Sequence, residues 1–263
     1  MVFTGIVEVM GTIASIVESD STWGGGNGLS VTIVDASVVL PDVNLGDSIM
    51  VNGICLTVTE FEKEAGSFKV GIAPETVRRT TLGTWKVGDK VNLERATLAG
   101  KTRLGGHVVQ GHVDCPITLI ARRPDPPNSI VLRWQIAPLA TLIASNTLSS
   151  TDADPLQFIT SKGYVCINGT SLTVTTVDRE ARWFEVMLIA HTQNHVNLPL
   201  VEIGEQINLE VDEVAKYVES VVRAFVENES VGDGEGGAIG GLIKRLVDEA
   251  VDRKLKAAGI VLK

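Results

Sequence analysis

The chain has 263 residues and a formal net charge of −9 at pH 7. This length leaves room for two domains of ordinary size, each able to bury its own core. No run of Lys and Arg is longer than the pairs Arg78-Arg79 and Arg122-Arg123, so the charge pattern argues against nucleic acid and anionic membranes as partners.

The N-terminus and the cysteines indicate the compartment. The stretch from Met1 to Glu8 is apolar, but it lacks a basic region and contains an acidic residue, which is atypical of a signal peptide. No segment approaches the roughly 18 uninterrupted apolar residues of a membrane span. The three cysteines, Cys55, Cys115 and Cys166, lack metal-like spacing and suit reduced thiols. We therefore expect a soluble cytoplasmic protein without a metal site.

The first half of the chain reads as short strands. Apolar and polar residues alternate over 29–34, 55–61, 68–72 and 91–94, with Gly, Asn and Asp between them. This pattern predicts a small antiparallel barrel or sandwich. The glycine-rich stretch 23–28 precedes a strand rather than a helix, so we interpret it as a loop and not as a phosphate site.

The second half repeats this pattern and then changes period. Its expected strands are 130–136, 164–167, 172–177, 184–189 and 206–211. After Asp212 an apolar stripe, Val214, Val218, Val221 and Phe225, predicts an amphipathic helix of about five turns. The stripe packs either on its own barrel or against copies from other subunits. A glycine-rich linker, 232–241, and a second amphipathic helix, 242–258, are expected to follow.

An internal repeat relates the two halves. Residues 52–60 and 168–176 agree at six of nine positions, and the same offset relates 91–94 to 207–210. Upstream, Thr4–Glu8 aligns with Gln110–Asp114 at an offset of 106. Self-similarity of this length indicates two copies of one structural unit. The second copy has gained a net ten residues, for which the loops 123–128 and 149–155 are the candidates.

The two copies differ chemically at aligned positions. Cys55 aligns with Ser171, and Ile6 aligns with His112. Cys55 is therefore a candidate thiol nucleophile, although a buried inert cysteine is the default for a strand. His107 and His112 lie in a glycine-rich segment and suit proton transfer, or a structural hydrogen bond. Thr57 and its counterpart Thr173 either present hydroxyls to a ligand or simply favour strand structure.

Two other patterns carry less chemistry. His191 and His195 have the i, i+4 spacing of helical metal ligands, but they follow a strand and no third ligand is evident, so we interpret them as surface or pocket residues. Gly100-Lys101-Thr102 resembles the end of a phosphate-binding loop, yet Arg95 occupies the required first glycine position. We reject that interpretation.

Several motifs, in order and in both halves, are similar to those of the riboflavin synthase family. They are Phe3–Glu8, Asn52–Val58, Glu75-Thr76 with Thr80–Gly83, Gly106–His112 and Gly169–Val174. The likeness covers about residues 1 to 220.

The resemblance implies an all-β fold of two tandem, similar six-stranded Greek-key barrels followed by a C-terminal helix. It implies an N-terminal lumazine-binding barrel at 1–98, a C-terminal one at 99–212, and an oligomerisation helix at 213–230 that forms a homotrimer. Residues 231–263 would be the linker and an accessory tail helix, for which the family pattern offers no counterpart.

The resemblance also implies a reaction. Two molecules of 6,7-dimethyl-8-ribityllumazine dismutate by transfer of a four-carbon unit, which gives riboflavin and 5-amino-6-(D-ribitylamino)uracil without a cofactor. Lumazine synthase is a possible partner. The competing function is a non-catalytic lumazine or flavin carrier with the same barrels. A flavin-reductase-like protein would need a nicotinamide-binding domain, which the sequence lacks.

By resemblance, each barrel contributes one pocket. The N-terminal pocket would be lined by Phe3, Thr4, Gly5, Ile6, Val7, Ser48, Cys55, Leu56, Thr57, Gly71, Ile72, Ala73, Pro74, Glu75 and Thr76. The C-terminal pocket would be lined by Gly111, His112, Val113, Lys162, Ser171, Leu172, Thr173, Leu188, Ile189, Ala190, His191 and Thr192. The segment from Ala190 to Thr192 departs from the Pro-Glu-Thr that is usual in the family.

The resemblance assigns roles to five side chains, four of the pocket residues and Asp212. Cys55 is the expected nucleophile or polar anchor at ring carbon C7, and His112 with Thr57 or Ser48 transfers protons. Asp212 orients a hydroxyl or a base across the interface. Backbone amides beside Cys55 and Ser171 bind the pyrimidine edge.

Overall fold

Two closed six-stranded antiparallel barrels make up most of the structure, a computed structural model that describes residues 2–20, 28–98, 100–101, 103–229 and 245. The first barrel has the strand order β1-β2-β5-β4-β3-β6 and the second the order β10-β11-β8-β7-β12-β9. The strands of the first are β1 Val9–Asp20, β2 Gly28–Val34, β3 Ser48–Val51, β4 Ile54–Glu62, β5 Ser67–Ile72 and β6 Lys90–Arg95. Those of the second are β7 Cys115–Asp125, β8 Ser129–Gln135, β9 Tyr164–Ile167, β10 Thr170–Asp178, β11 Trp183–Leu188 and β12 Gln206–Val211.

Alternation locates most of these strands because one face of each is buried. In β4, Ile54, Leu56 and Val58 face the core of the first barrel. The sequence pattern does not predict three strands, β1, β3 and β7. β1 and β7 contain register shifts, as do β4 and β10, and each shift moves the following side chains to the opposite face. β3 is buried at all four positions, so it reads as an apolar run.

Asn-Gly turns close the hairpins at the centre of the repeat. Asn52 and Gly53 have φ values of 47° and 81°, and Asn168 and Gly169 have 44° and 79°. Two successive positive φ values match the right-handed twist of the flanking strands, which explains the Asn-Gly pairs. The two turns also touch each other: a Cβ on Gly53 would lie 2.9 Å from the amide nitrogen of Gly169.

The extra residues of the second copy lie between β8 and β9. The connection from Gln135 to Tyr164 contains helix α2, Leu139–Ala144, and a 3-10 turn, whereas the counterpart from Val34 to Ser48 is shorter. The candidate loop at 123–128 is instead a tight hairpin between β7 and β8. The loop at 149–155 therefore belongs to the insertion, and its Asp152 accepts a hydrogen bond from Arg79 of the first barrel at 2.7 Å.

Asparagine side chains join the barrels reciprocally. The side-chain amide of Asn92 donates to the carbonyl of Asn168 at 2.8 Å, and that of Asn208 donates to the carbonyl of Asn52 at 2.8 Å. Asn197 adds bonds to Asn92 and Asn52. Because buried polar groups are costly when unpaired, this satisfied network fixes how the two barrels meet.

Helices complete the description. Short helices α1, Pro74–Arg79, and α3, Ala190–Gln193, follow the equivalent strands β5 and β11. The expected helix after Asp212 is confirmed as α4, Glu213–Glu229. Residues Met1–Glu213 form one compact unit, and a second unit begins at Val214. Of the predicted glycine-rich loop at 23–28 only Gly28 is described, as the first residue of β2. The linker at 232–241 and the tail helix at 242–258, apart from residue 245, lie outside the described residues. No helix in the described ranges is long and apolar enough to span a membrane.

Candidate functional site

The segment before each barrel crosses onto the other barrel. Phe3 and Val109, which the repeat aligns with each other, exchange backbone hydrogen bonds of 2.7 and 3.1 Å. Beyond this bridge, Val7 packs against the core of the second barrel, and its counterpart Val113 packs against the core of the first. The side chain of Phe3 is fully buried between the barrels.

Each crossing segment places a glycine against the aligned Cys or Ser. The amide of Ser171 donates to the carbonyl of Gly5 at 2.7 Å, and the amide of Cys55 donates to the carbonyl of Gly111 at 2.8 Å. A Cβ on Gly5 would lie 2.6 Å from Cβ of Ser171, and one on Gly111 would lie 2.7 Å from Cβ of Cys55. Only glycine permits such an approach, and both glycines have positive φ.

The two crossing segments therefore lie on the opposite sides from those that the resemblance implies. Gly5 lies with Ser171, not with Cys55, and Val7 belongs to the core of the second barrel. Gly111 lies with Cys55, not with Ser171. The physical reason is that the chain crosses to the other barrel before the first strand of each barrel, β1 or β7, begins. Direct contact of these residues with a substrate stays a prediction.

The surroundings of Cys55 lie on the outer face of the first barrel. Cys55 is half-buried on β4, and Thr57 is exposed two residues further along. Ser48 pairs with Thr57 across strands, and its hydroxyl is buried without a hydrogen-bond partner. His112 follows Gly111, and its side chain is exposed. The structure therefore gathers four of the five predicted catalytic residues around one strand pair.

The surroundings of Ser171 contain a histidine that sequence reasoning left undecided. His107 Nδ1 lies 2.6 Å from Ser171 Oγ, and its ring stacks on Tyr164 with centroids 5.2 Å apart. Burial lowers the pKa of His107, although the charge of Asp212 acts in the opposite direction. Nε2 of His107 is buried without a hydrogen-bond partner. A neutral imidazole next to a hydroxyl can exchange a proton with it.

Two buried glutamates hold the crossing segments, and sequence reasoning missed both. Glu94 accepts from the amide and hydroxyl of Thr4 at 2.6 and 2.8 Å and from the amide of Gly5 at 3.0 Å. Glu210 accepts from the amides of Gln110 and His112 at 2.7 and 2.8 Å. Burial raises the pKa of Glu94 to about 7, against the lowering effect of its hydrogen bonds. The repeated Asn-Leu-Glu ending of the sixth strands was the available signal.

The remaining predicted residues lie at strand ends and in adjoining turns. Leu56 and Leu172 face the barrel cores, so their side chains point away from the outer faces on which Cys55 and Ser171 lie. Thr173 is exposed on β10, and Lys162 is exposed in the turn before β9. The others end β5 and β11 or lie at the start of α1 and in α3: Gly71, Ile72, Ala73, Pro74, Glu75, Thr76, Leu188, Ile189, Ala190, His191 and Thr192.

Two clefts are lined by residues other than the five predicted catalytic ones. A cleft of about 670 Å³ is lined by Asn52, Trp85, Asn168 and Asn197 among others, and one of about 350 Å³ by Thr4, Ile6, Glu94 and Arg103 among others. Among the described residues no group of His, Cys, Asp and Glu side chains could hold a metal ion. His191 and His195 stack on each other with centroids 4.2 Å apart.

Relatives among known proteins agree with this duplicated architecture. Residues 4–96 and 110–212 each match the lumazine binding domain family. The crystal structure of LumP complexed with 6,7-dimethyl-8-(1'-D-ribityl) lumazine superposes with a TM-score of 0.62 at 22% identity, covering 80% of this chain and 98% of that chain. At this identity the likeness concerns the fold.

Curated relatives are closer in sequence. Riboflavin synthase of Meyerozyma guilliermondii is 43% identical over 258 residues, 97% of this chain and 99% of the relative. That of Saccharomyces cerevisiae is 41% identical over 95% of this chain and 97% of its own. Such coverage includes most of residues 231–263, so the expectation that the tail has no family counterpart is wrong. Riboflavin synthase of Mycobacterium tuberculosis is 36% identical and covers 84% of this chain and 98% of its own. The chain belongs to the riboflavin synthase family and carries the lumazine-binding domain of that family twice.

Proposed function

We propose that the chain converts two molecules of 6,7-dimethyl-8-ribityllumazine into riboflavin and 5-amino-6-(D-ribitylamino)uracil by transfer of a four-carbon unit, without a cofactor. The observation that carries this proposal is the pairing of two lumazine-binding domains in one chain, with Cys55 and Ser171 at aligned positions, each backed by a glycine. A reaction between two copies of one molecule requires two similar pockets with different chemistry.

The chemistry follows from holding two lumazines in register. The 7-methyl group is acidic because its anion delocalises into the ring, so a modest base suffices to remove the proton. Effective molarities for well-oriented pairs reach about 10⁵ M or more, so positioning supplies much of the rate. The barrel with Ser171 and His107 and the barrel with Cys55 then hold the two partners in different chemical surroundings.

The roles of the side chains follow from their surroundings. Cys55 acts as nucleophile or polar anchor at C7, supported by its half-buried position on β4. His112 with Thr57 or Ser48 transfers protons beside it. Asp212 orients the base at the other pocket, supported by its electrostatic effect on His107. The backbone beside Cys55 and Ser171 binds the pyrimidine edge.

The proposal includes a homotrimer formed through α4, in which the N-terminal barrel of one subunit faces the C-terminal barrel of the next. Val214, Val218 and Val221 on α4 are each more than half exposed, and Cys55 and Thr57 lie on an outer face, outside the two clefts described above. Both observations favour a site completed by a neighbouring subunit. The proposal takes residues 1–98 and 99–212 as the two functional barrels. It also places the protein in the cytoplasm, with lumazine synthase as a partner.

One experiment tests the proposed reaction. The purified chain is mixed with 6,7-dimethyl-8-ribityllumazine and no other reagent, while riboflavin absorbance and loss of lumazine are followed together. We expect two lumazines consumed for each riboflavin formed. Tight binding without turnover would overturn the proposal and favour the alternative, a non-catalytic lumazine or flavin carrier of the same fold.

A further inference from the structure

A buried carboxylate holds each crossing segment, and it comes from the last strand of the barrel that follows the segment. Glu94 is the next-to-last residue of β6 and is 4% exposed, and Glu210 is the next-to-last residue of β12 and is 3% exposed. Each accepts backbone amides of its crossing segment.

A carboxylate suits this task because it only accepts hydrogen bonds. A crossing segment leaves its strand partners and presents several amides to the same point in the interior. Two oxygens with free lone pairs can satisfy these amides together, and charge-assisted bonds of this kind are stronger than neutral ones. At Glu210 the two bonded amides, of Gln110 and His112, flank Gly111 on both sides.

The held glycine in turn contacts the residue that distinguishes each pocket. Gly111 accepts the amide of Cys55, and Gly5 accepts the amide of Ser171. Each glycine leaves no room for a Cβ between itself and that residue, so a displaced segment would change the access of solvent to Cys55 or Ser171.

We propose that Glu94 and Glu210 are positioning residues, each of which sets the geometry of one pocket by fixing the segment that covers it. Glu210 acts on the pocket of Cys55, and Glu94 acts on the pocket of Ser171. The inference rests on the proposed function only in its claim that both pockets serve the reaction.

Glutamine is the informative substitution at both positions. It has nearly the same shape, but it replaces one accepting oxygen by an NH₂ donor. In Glu210→Gln, one of the two segment amides then faces a donor and loses its partner. In Glu94→Gln, the same loss occurs at Thr4 or Gly5, in the other pocket.

The reactivity of Cys55 reports on one pocket alone. Cys115 and Cys166 are 0% and 1% exposed, whereas Cys55 is half-buried, so an aromatic disulfide reagent added to the folded full-length chain reports on Cys55. At a pH of about 8, above the pKa of about 7 of Glu94, we expect Glu210→Gln to raise the rate about tenfold or more by local opening. Glu94→Gln, the matched control, leaves it within about twofold.

Equal acceleration in both variants, or acceleration in neither, would overturn the proposal, because general loosening of the fold does not select a pocket. If Glu210→Gln does not fold, Glu210→Asp retains the charge on a shorter side chain and is expected to accelerate the reaction in the same direction. The thiol assay needs no substrate, so its failure is distinct from failure of the wild-type chain to form riboflavin. In the lumazine assay we expect turnover to fall in both glutamine variants.

Discussion

His107 Nδ1 lies 2.6 Å from the hydroxyl of Ser171, whereas Cys55 at the aligned position has no such neighbour from the repeat. The offset that aligns Gly5 with Gly111 aligns His107 with Met1, so the counterpart of His107 is not a histidine. The histidine beside Cys55 is His112, which aligns with Ile6. The linker before the second barrel thus makes the two pockets chemically different.

The lowered pKa of His107 predicts a pH dependence of stability. Its ordinary pKa is 6.5, and burial lowers the folded value. Between the two values the unfolded chain binds a proton that the folded chain rejects. The contribution of His107 to the free energy of unfolding is therefore fully present above pH 6.5. It is lost as pH falls through the pKa of His107 in the folded chain. Urea unfolding of the wild type and His107→Gln should show a difference in free energy that shrinks as pH falls over this range.

The control for this experiment is His191→Gln, which removes an exposed imidazole. NMR titration of the His107 ring should give a midpoint below 6.5 directly. A stability difference between wild type and His107→Gln that is independent of pH would contradict the assignment.

Replacement of Cys55 tests the thiol. Because removal of one nucleophile or acid–base group costs about 10²-fold or more, we expect Cys55→Ser to lower the rate of riboflavin formation by that factor while lumazine still binds. Stopped-flow absorbance measures the rate, and lumazine fluorescence measures binding. Thr59→Ser on the same strand, whose hydroxyl donates to the carbonyl of Lys69, is the control. Full turnover in Cys55→Ser would rule out an essential thiol.

The meeting of the two hairpin turns predicts a steric effect on stability. In Gly53→Ala the new methyl would lie 2.9 Å from the backbone of Gly169, and φ is +81°. We expect a loss of about 3 kcal/mol in the free energy of unfolding, from backbone strain and overpacking together. Gly88 has a φ of +98° with open space around it, so Gly88→Ala should cost only about 1 kcal/mol. Equal losses would show that the contact between the turns has no energetic weight.

The exposed apolar stripe on α4 allows a test of the proposed homotrimer. A charge placed in an apolar interface is costly to desolvate, so Val218→Glu should shift the proposed trimer to monomer in analytical ultracentrifugation. Glu219→Lys, on the neighbouring polar position, is the control and should leave the mass unchanged. A monomeric wild type, or a Val218→Glu chain of unchanged mass, would contradict the proposed helix-mediated trimer.

The sequence predicts the barrels well because the signals are local. Alternation in β4 and β5, the Asn-Gly turns and the apolar stripe of α4 each depend on neighbouring residues. Strands β1, β3 and β7 are not predicted. Register shifts break the period-2 pattern in β1 and β7, as they also do in β4 and β10. The repeat itself located Cys55 and Ser171 at equivalent positions.

The grouping of residues into pockets could not be predicted in this way. Gly5 and Ser171 are far apart in sequence, and nothing local shows that the chain crosses to the other barrel before β1 begins. Glu94 and Glu210 are hidden for a similar reason, because a charged residue at a strand end reads as solvent-exposed until its buried amide partners are known.

The reciprocal crossing bears on how such a chain can arise. Phe3 meets Val109 and Gly53 meets Gly169, so each of these contacts joins a residue to its own counterpart, as in an isologous dimer. Two identical single-barrel chains would form the same set by pairing face to face. Joining two such genes then relaxes the requirement that both halves be identical, and one half can acquire a serine and a histidine while the other keeps a thiol.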